Sequence, residues 1–69
     1  MKVLNHEAGR VAVTLESDEL VLLNNALNEI LHGPAAVPAV EFPSRLGVTA
    51  DDARSLMAQI QAALKPPAG

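Results

Sequence analysis

The stretch LVLLNNALNEILH, residues 20–32, decides the fold. At 100° per residue, Leu20, Leu22, Leu23, Ala26, Leu27, Ile30 and Leu31 fall on one continuous arc of roughly 180°. The opposite half carries Asp18, Val21, Asn25, Asn28, Glu29 and His32, and Asn24 stands at the border beside Leu20 and Leu31. This pattern predicts a helix that follows an N-cap at Ser17 and runs to about His32. Ser17 suits the N-cap, and Asp18 and Glu19 place negative charge where the helix dipole favours it. Gly33 suits the C′ position and Pro34 blocks continuation. An apolar half this wide predicts a central helix with two neighbours.

Upstream, RVAVTL (residues 10–15) alternates, with Val11, Val13 and Leu15 on one face and Arg10, Ala12 and Thr14 on the other. It pairs as a β-hairpin with KVLNH (residues 2–6) across a turn of Glu7, Ala8 and Gly9, where Gly9 can take a positive φ. Two registers are open. One puts Val3 on the core face and the other Leu4, because a one-residue slip exchanges the faces.

Downstream, residues 33–44 hold three prolines and read as an irregular connection. Val37, Val40 and Phe42 are expected to pin it to the core. A second helix begins at VTADD, with Thr49 as N-cap and Asp52 closing a capping box, and runs to about Lys65. Its core face is read as Ala53, Leu56, Met57, Ile60, Ala63 and Leu64. On its outer face Ser55, Ala58 and Ala62 form a strip of small side chains, which either admits a second helix closely or simply favours helicity.

These elements predict an α+β fold, a β-hairpin followed by two α-helices (ββαα) joined by a proline-rich connection. They are expected to form one small domain over residues 1–65, with a disordered tail at 66–69.

Hydrophobic residues are 49% of the 69-residue chain, yet Phe42 is the only aromatic. An aliphatic core at this length leaves about 3–5 kcal/mol of net stability, a range in which self-association often helps, so a homodimer is expected. The chain has no cysteine, which excludes disulfides and thiolate metal sites. The first ten residues lack the apolar stretch of a signal peptide and no apolar run reaches membrane-spanning length, so the cytoplasm is the expected location and no membrane partner is expected.

The residues offer little for catalysis. His6 and His32 belong to different elements, and Ser17 and Ser44 read as a cap and a turn residue rather than nucleophiles. Glu29 and His32 have an E-x-x-H spacing used by carboxylate-bridged metal sites, but such sites need further carboxylates from other helices. His32 is explained more simply by the helix dipole and the last carbonyls. No enzyme activity, cofactor or metal is expected.

Two surfaces remain as candidates. Asparagine is a mediocre helix former, and three within five residues point to a choice made for something other than helicity. Val21, Asn24, Asn25, Asn28, Glu29 and His32 form a candidate protein-binding face. Alternatively, the asparagines satisfy the backbone of the irregular connection. The rival surface is a winged helix-turn-helix-like DNA reader built on the helix starting at Thr49, with Arg45, Thr49 and Arg54 approaching DNA. A net charge of −3, Asp51 and Asp52 at that helix start, and Pro43 in the supporting segment all weigh against nucleic acid.

The segments LESDELVLLNNALNE (residues 15–29) and EFPSRLGVTADDA (residues 41–53), about half the chain, resemble a group of short, uncharacterised bacterial proteins, some associated with immunity to bacterial toxins. The resemblance implies that the first helix and the 42–49 turn form one unit. It also implies a toxin-neutralising immunity protein and assigns no functional residue; the polar face of the first helix suggests that it would act by steric occlusion. An acidic chain suits that role, since many toxin nucleases are basic and opposite charges speed association.

Overall fold

The computed structural model describes residues 1–65. The fold is α+β, an antiparallel hairpin followed by helices: β1 (Lys2–Glu7), β2 (Arg10–Thr14), α1 (Ser17–His32), a 3-10 turn (Ala39–Glu41), α2 (Phe42–Leu46) and α3 (Ala50–Leu64). The expected tail at 66–69 lies outside the described residues.

The hairpin turns at Ala8 and Gly9, and Gly9 supplies the positive φ of 76°. Val3 stands opposite Val13, which settles the register in favour of Val3. The ladder then slips between Val3 and Asn5, so Leu4 forms a bulge, and His6 pairs with Val11 and Glu7 with Arg10. The extra residue restores Val3, His6, Val11 and Val13 to one face. Among the described residues no helix seals that face. Every residue of both strands is exposed, which departs from the expectation of α1 as a helix covered by the hairpin on one side.

Among the described residues, three helices replace the expected two. Pro43, which weighs against a helix in the segment before α3, sits in the first turn of α2, where a missing N–H costs nothing because no partner exists for it. The connection therefore tightens from the 3-10 turn directly into α2. Gly47, with φ of 79°, ends α2 in the left-handed region and donates its N–H to the Pro43 carbonyl at 3.0 Å.

Phe42 is the most deeply buried side chain, 1% exposed, and it packs with Ala50 and Ala53 of α3. Leu27, Ile30 and Leu31 of α1 and Val37 of the connection close over this cluster, and the Val37 N–H donates to the Ile30 carbonyl at 2.9 Å. Val37 and Phe42 thus pin the connection as expected. Val40 does not: it is 87% exposed, because the 3-10 turn that rolls Phe42 inward carries Val40 outward. On α3, Ala53 and Ile60 are buried and Met57 and Leu64 half-buried, whereas Leu56 and Ala63 are exposed.

Two helix ends differ from the sequence reading. The N-cap of α1 is Glu16, with Ser17 already helical. Glu19 explains the offset, because its carboxylate accepts the Glu16 N–H at 2.9 Å. Gly33 caps the C-terminus with φ −71° and ψ 174° instead of a left-handed turn. The following Pro34 forces this, since a residue before proline is driven to extended backbone.

Candidate partner-binding surface

The α1 side chains divide as the helical wheel demands, with one complication. Leu20, Leu27, Ile30 and Leu31 are half-buried towards the protein, while Val21, Asn25, Asn28, Glu29 and His32 are exposed. Leu22, Leu23 and Ala26, read as core, are also exposed. The apolar arc is wider than the chain itself can cover.

The asparagines separate into two kinds. Asn25 and Asn28 lie on the exposed side, and among the described residues no hydrogen bond ties either to residues 33–48. They do not hold down the connection, which satisfies itself through the Ala36 N–H to Gly33 carbonyl, Val37 to Ile30 and Glu41 to Pro38 bonds. Asn24 is half-buried, and its Oδ1 is cut off from water without a hydrogen-bond partner among the described residues. Such an orphan acceptor costs about 1–3 kcal/mol.

At the C-terminal end of the same face, Glu29 folds back over the helix end. A Cβ added to Gly33 would lie 2.7 Å from Glu29 Oε2 and 2.7 Å from the Glu29 carbonyl oxygen. Glycine is therefore required there for close approach. His32 is exposed one residue earlier, in the last turn. The result is a polar strip with two free amides at its centre and a carboxylate and an imidazole at its end.

The α1 N-terminus is more tightly built. Glu19 accepts the Glu16 N–H and the Met1 ammonium, the latter at 2.7 Å to Oε1 and 2.6 Å to Oε2. These donors, the ammonium first, hold the Glu19 carboxyl below its ordinary value of 4.5.

The rival surface has a recognisable shape, α2, the Gly47 turn, then α3. Its polar side chains are exposed but already paired locally. Arg45 pairs with Glu41 at 3.5 Å, and Arg54 donates to Asp51 Oδ1 at 2.6 Å. The Thr49 hydroxyl accepts the Asp52 N–H in a capping box. Both cations already face a carboxylate, so a phosphate would have to compete for them.

A further concavity of about 510 Å³ opens along the hairpin, lined by Asn5, Glu7, Arg10, Val11 and Ala12. Among the described residues, no helix is long and apolar enough to cross a membrane.

No family model matches the chain, and neither a curated protein nor a solved structure matches it.

Proposed function

We propose that this chain is a non-enzymatic protein-binding module, an immunity protein that neutralises a bacterial toxin by steric occlusion. The observation that carries the reading is the open pair of amides on α1. Asn25 and Asn28 are exposed and spend none of their donors or acceptors on the protein's own connection. Their helix packs through Leu27, Ile30 and Leu31 on the Phe42 cluster, so a partner meets a backbone already docked on the core. Glu29 and His32 extend the polar strip, and Val21 contributes an apolar contact. Net charge −3 favours encounter with a basic toxin.

DNA binding through Arg45, Thr49 and Arg54 is the weaker reading, because all three side chains are engaged by neighbouring residues. The test is calorimetric titration of the protein against a basic toxin nuclease, with a gel-shift assay at low salt beside it. A stoichiometric complex supports the proposal. A toxin that leaves the protein untouched, together with a retarded DNA band at low salt, would reverse the order of the two readings.

A further inference from the structure

We infer that the outward crest of α1 docks a cationic amphipathic helix of another protein, with Leu22 as the apolar anchor and Glu29 as the charged one. The inference rests on the reading of α1 as a protein-binding helix and names what the partner presents to it.

At 100° per residue, Asp18, Leu22, Asn25 and Glu29 fall within about 60° of one another, and all four are exposed. Leu20, Leu27 and Leu31, half-buried towards the protein, lie on the opposite side of the helix. Three of the four crest residues go against local preference. Leu22 is 68% exposed, and Leu23 and Ala26 are exposed beside it. Asn25 stands mid-helix, where alanine, glutamate or lysine would favour helicity more. Glu29 puts a carboxylate in the last turn, where the helix dipole favours a cation and opposes negative charge. Positions that break a local rule with no gain inside the chain are where function is expected.

Charge decides the occupant. Among the described residues, Glu19 faces the Met1 ammonium, Glu41 faces Arg45 and Asp51 faces Arg54, while Glu29 and Asp18 face no cation. α1 itself contains Asp18, Glu19 and Glu29 and neither lysine nor arginine. Asp18 and Glu29 are three turns apart, roughly 16 Å at about 1.5 Å per residue. The intervals of four, three and four residues from Asp18 to Glu29 are those of a lengthwise helix–helix seam. A helix lying along this crest meets it with cations three turns apart and apolar side chains between them.

A second copy does not fit. Antiparallel pairing of α1 with itself sets Asp18 against Glu29 of the other copy at both ends, and parallel pairing sets each carboxylate against itself. Nucleic acid and anionic lipid are repelled by the same two carboxylates.

Nitrogen-15 NMR of the full chain tests this, with two alanine-based helical peptides as probes. One carries a leucine stripe and two lysines eleven residues apart, and its twin carries glutamates in place of the lysines. The lysine peptide should shift amides centred on Leu22, Asn25 and Glu29 and bind about tenfold or more tighter than its twin. Leu22→Ala should weaken it with no change in melting temperature. Glu29→Lys should turn the preference towards the glutamate twin while melting no lower than wild type, because a cation suits the last turn. A misfolded variant gives neither result. Equal binding of both peptides, shifts centred off α1, or no shift at millimolar peptide overturns the inference. Those outcomes remove this occupant alone. The face itself fails, and the inference with it, if a toxin complex forms and ignores Asn25→Ala combined with Glu29→Ala.

Discussion

Thr49 and Asp52 close a reciprocal pair at the start of α3. The Asp52 N–H donates to Thr49 Oγ1 at 3.1 Å, and the Thr49 N–H donates to Asp52 Oδ2 at 3.2 Å. The pair fixes the first turn of α3, which presents Ala50 and Ala53 to Phe42. Thr49→Ala should therefore cost about 1 kcal/mol, read as a lower urea midpoint with an unchanged slope.

Phe42 carries the helical core. Truncating a buried phenylalanine costs about 3–5 kcal/mol. A chain of this length holds a comparable net stability, about 3–5 kcal/mol. Phe42→Ala should abolish the cooperative thermal transition followed by circular dichroism, whereas Val40→Ala, at a position 87% exposed, should leave it in place.

Asn24 is a stabilising opportunity. Its Oδ1 is buried without a partner, and Leu20, Leu27 and Leu31 lie one turn or two away on the same helix. Asn24→Leu should raise stability by about 1 kcal/mol, since it removes an unpaid desolvation and adds apolar burial. A lower melting temperature would show that the amide has a partner.

Glu19 makes the stability depend on acid. Its carboxyl sits below the ordinary 4.5 when folded, because the ammonium and the Glu16 N–H stabilise the charged form. A depressed pKa gives a contribution that is fully present above the unfolded value and lost as pH falls through the folded one. Glu19→Gln should thus lower the melting temperature at neutral pH, and the gap from wild type should close as pH drops below 4.5.

How legible this fold was depends on what each residue pattern records. The hairpin and the two long helices were readable, because alternation and 3.6-residue periodicity report which side chains leave water. Thr49 and Asp52 were readable because a capping box is local chemistry. α2 was missed: Pro43 reads as a breaker until its place in a first turn is known. The α1 start was displaced by one residue, since Ser17 is the better cap by propensity and only the Glu19 bond to Glu16 overrules it. The exposure of Leu22 and Leu23 was beyond reach. An apolar arc records total burial and does not distinguish the chain's own core from another molecule's surface. The proposed binding face was visible as three asparagines in a leucine-rich helix, but whether they served the connection depended on the course of residues 33–48, which no local pattern fixes.

The most direct measurement is calorimetric titration of the Asn25→Ala, Glu29→Ala double variant against the toxin proposed as the partner. Both residues are exposed, so the melting temperature should match wild type while Kd rises at least tenfold, about 1.4 kcal/mol. An unchanged Kd with an intact fold would contradict the assignment of this face of α1 as the binding surface.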